Sequence, residues 1–373
     1  MPEALSLLGH SVTVIDYDDT WASTRQGAGT FPKIHRAYSQ AAVTLIRPRM
    51  VRLPWISRVS GAMASGIEVN RALRRRKIDV VLLYGLPTVG VQVLLAAHAV
   101  GIPVVFRSID VSHALVPNPL LVPLTKILER IVFRSVKFNI ALTPHLQSYI
   151  HSYGVPEAAI RLLPSGVDAE MFSPGPRNTE LLRQWGIGND DPVVLFMGTI
   201  YRFSGLHVVL QGFGRILSKH SKAKLLVVGP GEDEVRLRGL AERLGLRDSV
   251  VFTGMQPYSI LPDVIRSSDV CINPFELNDV TRNILPTKLF QYMTCAKPVL
   301  ATPLPGTQTF LSGEDEGVVY AELPDFNDRL AALLSDSRRR EILGRSGRAA
   351  GLKYEWRAIA ETVSAWLEEA RRV

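Results

Sequence analysis

Cysteine is nearly absent: Cys271 and Cys295 are the only two in 373 residues. That is too few for a disulfide framework, and their spacing suits no metal site, so a reducing cytosol is the expected setting. A membrane-length apolar run is also missing. The longest candidate, "VGVQVLLAAHAVGIPVVF", contains Gln92 and His98 and is broken by Gly101 and Pro103. It reads as a buried helix running into a strand, not as a span. The opening "MPEALSLLGHSVTVID" has neither a basic nor a long apolar region, so no signal peptide is expected. The dinucleotide fingerprint GxGxxG does not occur, which disfavours a dehydrogenase or a sugar-nucleotide epimerase. No internal repeat or low-complexity tract appears.

Charge is present but uneven. The chain carries a net +8, with 46% hydrophobic and 21% charged residues, as expected of a globular protein large enough for two cores. Residues 1–170 hold 18 Lys+Arg against 11 Asp+Glu, whereas residues 171–373 hold 25 against 24. The basic half therefore suits an anionic partner: lipid head groups or a phosphorylated acceptor. "RPRMVRLPWISR" sets Arg47, Arg49, Arg52 and Arg58 around Trp55, a mixture that fits a membrane surface. "RALRRRK" reads equally well as the solvated last turn of a helix, where cations suit the dipole. Neither stretch carries a nucleic-acid motif, so no nucleic-acid partner is expected.

Strand-like and helix-length segments alternate. "SVTVID", "DVVLLYG", "IPVVFRS", "KFNIALT" and "AIRLLPSG" occupy the first half. "PVVLFMG", "KLLVVGPG", "DSVVFTG", "SDVCINPF", "KPVLATP" and "EGVVYAE" occupy the second. Short continuous apolar strands between helices predict parallel sheets covered on both faces. Two such series predict two Rossmann-like domains, 1–172 and 173–352, divided at the Pro- and Gly-rich "GVDAEMFSPGPRN". The closing segment 353–373 predicts an amphipathic helix with Trp356, Ile359, Val363, Trp366 and Leu367 on one side.

Ligands of open parallel sheets bind at the carboxyl ends of the strands. There "GTIYRFSG" offers Gly198, Gly205 and the cation Arg202 ahead of a helix starting near Ser204, and "GPGEDE" offers the tight turn of Gly229. The polar loop "NPFELNDVTRN" then enters "NILPTKLFQYMTCAKPVLA", where Pro286 reads as the first helical residue and Leu289, Phe290, Tyr292, Met293 and Ala296 as an apolar face. Lys288 falls in that first turn, where the macrodipole disfavours a cation by roughly 0.3–1 kcal/mol. A lone lysine there is ordinarily a side chain reaching for water. Beside glycine loops and free helix N-termini, it favours instead an anion such as a nucleotide diphosphate, held by Arg202 and Lys288.

The chain resembles the GT-B-fold retaining glycosyltransferases of glycosyltransferase family 4. The likeness is carried by "LLGHSVTVID", "PSGVDAEMF", "VVLFMGTIYRFSG", "LLVVGPGEDEVRLRGLAERLGLRDSVVFTG" and "PTKLFQYMTCAKPVLATPLPG" together. It implies two Rossmann-like domains with parallel sheets facing across a cleft, and a final helix that returns to the first domain. It also implies transfer of a hexose from a UDP- or GDP-sugar to a lipid-linked, polysaccharide or other glycan acceptor, without an obligatory metal. The nucleotide sugar would lie on the second domain and the acceptor, or an anionic membrane, on the first, with the protein cytoplasmic and peripheral at the inner face of the cell membrane. Residue by residue, the likeness makes His113 a donor-sugar contact, although it reads equally as a capping or surface histidine. Donor contacts are expected at Gly198, Thr199, Ser204, Gly205, Gly229, Asn283, Leu285, Thr287, Lys288 and Gln291.

Some positions depart from the family. Its two glutamates ahead of the "PVVA" strand are here Asn283 and Gln291, and the Arg and Lys of its glycine loop are Thr199 and Ser204. These changes support an alternative, a catalytically impaired relative that binds a nucleotide sugar or scaffolds polysaccharide assembly. The family's first strand and its glycine loop would also precede "MPEALSLLGH", so a start late by roughly 15–25 residues is expected, with an aggregation-prone or inactive product.

Overall fold

In the computed structural model of the chain, every residue is described except 17–26, 36–37, 52, 54–55, 87–88, 117 and 373, together with the side chains at 57, 58 and 115. The chain divides into two compact units: Met1–Ser165 with Trp356–Val373, and Gly166–Glu355. The divisions differ from those at 172/173 and 352/353 for a packing reason. Phe172 is buried in the second unit's core with Leu182 and Ile187. The Arg266 guanidinium donates to the Ser173 carbonyl (2.7 Å) and the Met171 carbonyl (3.2 Å), strapping the Pro- and Gly-rich run onto that unit.

Unit 1 contains strands β1 (Val12–Ile15), β2 (Gly29–Ile34), β3 (Val43–Arg47), β4 (Val81–Leu83), β5 (Val104–Ser108), β6 (Phe138–Ala141) and β7 (Ile160–Leu162). Its principal helices before Ser165 are α1 (Pro2–Leu7), α2 (Ile56–Arg75), α3 (Gly90–His98), α4 (Val122–Ser135) and α5 (Pro144–Ser152). The strands form two sheets, β1-β3-β2 and β4-β5-β6-β7. The second is wholly parallel, as the apolar runs predict, and β1 pairs in parallel with β3, while β2, which is not among those runs, is antiparallel to β3. Neither β2 nor β3 announces itself as a continuous apolar run. "GTFPKI" is half-exposed and contains Pro32, which a strand tolerates at an edge, and its register shifts between Phe31 and Ile34, across Lys33 at φ 53°.

Both faces of β4–β7 are covered. Phe106 and Leu83 pack with Val93, Ala97, Val132, Phe133 and Ile150 of α3, α4 and α5. Val105, Phe138 and Ile140 pack with Ile359, Ala360, Val363 and Leu367 of the closing helix Trp356–Arg372. Arg161 lies 4.0 Å from the Phe138 ring and 5.1 Å from that of Trp366, and pairs with Glu369, so the helix is held by both burial and charge.

Unit 2 is a doubly wound sheet of β8 (Val193–Met197), β9 (Lys224–Val228), β10 (Val250–Gly254), β11 (Val270–Asn273), β12 (Val299–Ala301) and β13 (Val318–Tyr320). The order is β10-β9-β8-β11-β12-β13 and every pairing is parallel. All of β8, "VVLFM", is buried, as a central strand with helices on both faces must be. Cys271 and Cys295 are both free and buried in this unit. Among the described residues no helix is long and apolar enough to cross a membrane.

Candidate functional site

Three loops of unit 2 meet at the carboxyl ends of β8, β9 and β11. The loops after β8 and β9 are joined by hydrogen bonds from the Ile200 N–H to the Pro230 carbonyl (2.9 Å) and from the Asp233 N–H to the Ile200 carbonyl (3.3 Å). Gly229, at φ 127°, permits this approach: a Cβ there would lie 2.3 Å from the Gly198 carbonyl oxygen. The loop after β11 joins through the Glu276 N–H, which donates to the Phe203 carbonyl at 2.9 Å. Gly205, at φ 67°, sits where a Cβ would fall 1.7 Å from the Pro274 carbonyl oxygen. It also caps the helix Leu206–Lys219, which begins slightly later than the expected start near Ser204.

Lys288 occupies the second position of the helix Thr287–Thr294. Pro286 is extended (φ −67°, ψ 115°) and caps that helix, instead of being its first residue. The helix also ends sooner than the apolar pattern suggests: Ala296 is not on its face but turns the chain at φ 57°. The stem of Lys288 is partly exposed, yet its Nζ is sealed from solvent and has no hydrogen-bond partner. This is the opposite of a lysine reaching for water. The ammonium lies 4.0 Å from the centroid of Phe196 and 4.6 Å from that of Phe275, and a Cβ on Gly198 would touch it at 3.2 Å.

Burial pulls the Lys288 pKa down from 10.5 to about 7. At 1.36 kcal/mol per unit, that shift is a penalty on the charged form of roughly 5 kcal/mol. The two aromatic faces offset part of it, but they leave its three N–H donors unsatisfied. Other polar groups nearby are in the same state. Both side-chain polar atoms of Asn273, at the end of β11, and Oγ of Ser204 are buried without a partner. Buried polar atoms are nearly always paired, so several orphans at one cluster of loops make it the candidate ligand site. Asn273 escaped sequence reasoning, because it lies inside an apolar strand run and only its burial singles it out.

The remaining expected donor contacts are distributed as follows. Arg202 and Thr199 are exposed on the loop after β8, while Leu285 is buried and Thr287 exposed at the start of the Lys288 helix. Asn283 is half-buried, and its backbone lies 2.6 Å from where a Cβ of Gly306 would sit. The Gln291 side chain is half-buried. Glu276 lies 3.7 Å from His207 Nδ1. No cluster of His, Cys, Asp and Glu suited to a metal occurs among the described residues.

His113 belongs to unit 1, in the turn Ser112–Leu115 after β5, with its side chain half-buried. Of the basic patch, Arg47 ends β3 and Arg49 is exposed. Arg52, Trp55 and the Arg58 side chain lie outside the described residues. Arg47 and Arg49 line a groove of about 970 Å3 with Arg71, Arg75, Arg76 and Glu68. The run "RALRRRK" thus contributes to a basic groove as well as ending α2. Beside it, Ile56, Val59, Met63 and Ile67 form an exposed apolar stripe at helical spacing along α2.

Two family models together match nearly the whole chain: "Glycosyltransferase Family 4" over residues 3–171 and "Glycosyl transferases group 1" over residues 177–350. A D-inositol 3-phosphate glycosyltransferase of Corynebacterium jeikeium is 30% identical over 60% of this chain and 55% of its own length. The chain spans about half the length of the curated relatives it matches. Among solved structures, the sucrose-phosphate synthase of Thermosynechococcus elongatus superposes with a TM-score of 0.73 at 16% identity, covering 99% of this chain and 91% of that one. Anabaena HepE in complex with UDP superposes with a TM-score of 0.67 at 16% identity, covering 88% and 86%.

Proposed function

This chain belongs to the GT-B glycosyltransferases, and from that premise we propose that it moves a hexose from a UDP- or GDP-sugar to a lipid-linked, polysaccharide or other glycan acceptor, with retention of configuration. The observation that carries the donor assignment is Lys288: a solvent-sealed amine without a hydrogen-bond partner at the meeting point of glycine loops and helix N-termini. A diphosphate seated there would take the three ammonium donors, the free amides of the helix Leu206–Lys219 and the Ser204 hydroxyl. As the bond from the sugar C1 to the diphosphate oxygen breaks, negative charge grows on the leaving group. A desolvated ammonium stabilises that charge more than a hydrated one does. Arg202, exposed on the same loop, would close on the outer phosphate oxygens. Complexes of HepE with UDP and with UDP-glucose support a nucleotide-sugar donor for this fold.

The acceptor reading rests on unit 1. Its groove of Arg47, Arg49, Arg71, Arg75 and Arg76 suits a phosphorylated head group, and the apolar stripe of α2 suits shallow burial in the interface of an anionic membrane. These two features support a peripheral role in cell-envelope polysaccharide synthesis at the inner face of the membrane.

A second reading, binding without turnover, is favoured by one position. Gln291 stands where the family has a glutamate, so the site lacks that carboxylate. Assaying UDP and GDP release across a panel of nucleotide sugars and acceptors separates the two, and the anomeric configuration of the product tests retention. Nucleotide binding with no release under any pairing would establish the second reading.

A further inference from the structure

His113 is held by a cluster that the donor site of unit 2 does not explain. The Glu129 carboxylate, on α4, is fully buried (0% exposed), accepts three hydrogen bonds and faces His113 Nδ1. Oε1 accepts from the His113 backbone N–H at 3.0 Å. Oε2 lies 3.1 Å from His113 Nδ1, and accepts from the Tyr153 hydroxyl at 2.9 Å and the Tyr149 hydroxyl at 2.5 Å. Tyr149 and Tyr153 both come from the region of α5, and Tyr149 Oη is also 2.8 Å from His113 Nδ1. Phe133 packs edge-on against both tyrosine rings, at centroid distances of 6.0 and 5.3 Å, which limits their freedom to turn.

The carboxylate decides the histidine. An ionised carboxylate only accepts, so Glu129 Oε2, 3.1 Å from His113 Nδ1, requires a hydrogen on that nitrogen. The phenol protons go to Glu129 or from one tyrosine to the other, whose hydroxyls lie 2.7 Å apart. In the neutral ring Nε2 is then bare. Desolvation, followed by the bonds to Glu129 and Tyr153, raises the Tyr149 pKa, and desolvation does the same for Tyr153, so both phenols keep their protons at neutral pH.

We infer that Glu129, Tyr149 and Tyr153 are positioning residues that fix His113 as the Nδ1–H tautomer and present Nε2 as a hydrogen-bond acceptor to a sugar hydroxyl. This rests on the glycosyltransferase reading for the identity of the hydroxyl, but not for the tautomer. A neutral Nε2 acceptor selects a ligand that donates, so it discriminates against a deoxy sugar at that position, because loss of the donor leaves Nε2 unpaired.

Imidazole-ring 15N correlation spectra at neutral pH test the tautomer directly, the His113 signal being assigned by its loss in His113→Ala. The expected result is a protonated Nδ1 and a bare Nε2 in the wild type. In Glu129→Gln, whose amide can donate to Nδ1, the proton should move in part or whole to Nε2. Tyr153→Phe should keep the wild-type tautomer with shifted resonances, which guards against a misfolded Glu129 variant. Where transfer is measurable, Glu129→Gln should slow it by about 10–100-fold, the size that outer partners have on oriented histidines. The same change made in His113→Ala should have little further effect. A wild-type His113 protonated on Nε2, or on both nitrogens, would overturn the inference. So would a Glu129→Gln spectrum identical to wild type, or equal slowing in the presence and absence of His113. If no donor supports turnover, the function fails while the spectra still decide this point.

Discussion

Diphosphate binding should draw a proton into unit 2, and Lys288 should be the group that takes it. In the free protein burial holds its pKa at about 7, so at pH 8 roughly a tenth of the molecules carry the charge. A diphosphate at hydrogen-bond distance favours the charged form, and an opposite charge that close moves a pKa by about 1–3 units. With a bound-state pKa near 9.5, almost all molecules are protonated, and uptake is about 0.9 proton per UDP at pH 8. The assay is titration calorimetry of UDP into the protein in buffers of different ionisation enthalpy, where the slope of the observed heat gives the proton number. Lys288→Met keeps the length of the side chain and removes the titrating group, so uptake should vanish and affinity for the diphosphate should fall. Uptake near zero in the wild type, or uptake that survives in Lys288→Met, would refute the assignment of the site to this lysine.

Other outcomes follow from the same structure. Because the folded pKa of Lys288 lies below 10.5, the unfolded chain binds more protons between about pH 7 and 10.5. Stability of the free protein should therefore climb by up to about 1.4 kcal/mol per pH unit across that window, and Lys288→Met should raise the melting temperature most at and below pH 7; an effect of Lys288→Met that stays the same from about pH 7 to pH 10 would contradict it. Gly205→Ala should lose about 2–4 kcal/mol in denaturant unfolding, since its Cβ would meet the Pro274 carbonyl oxygen at 1.7 Å in a left-handed backbone conformation. Arg202→Ala should weaken UDP by about 1.5–3 kcal/mol while leaving uridine nearly unchanged, and equal losses for both would remove Arg202 from the phosphate site. Flotation with anionic vesicles should recover the protein at low salt and release it at high salt, with Arg71→Gln and Arg75→Gln together lowering recovery; equal recovery on neutral vesicles would count against a basic docking face.

Local pattern determined a large part of this protein. Continuous apolar runs such as "VVLFM" have to be buried on both faces, so each of the eleven runs read as strands from the sequence contains an observed one. Glycines and polar residues at the carboxyl ends of those strands located the loops, and the mismatch of Lys288 with its helix dipole drew attention to the residue itself. What the pattern did not decide were properties set by partners distant along the chain. The antiparallel strand β2 is half-exposed and carries Pro32, so only its pairing with β3 makes it a strand. Ala296 continues an apolar helical pattern, yet it turns at φ 57°, and its carbonyl oxygen lies within 2.2 Å of where a Cβ of Gly344 would be. The sealed Nζ of Lys288 depends on Phe196 and Phe275, brought together from different strand ends, and without those rings the same lysine would be hydrated. Glu129, Tyr149 and Tyr153 look, in sequence, like ordinary residues of amphipathic helices. Only the packing of α4 against the turn after β5, with α5 beside it, turns a buried carboxylate into the group that orients His113, because an ionised oxygen with no access to water must find its hydrogen bonds inside the protein.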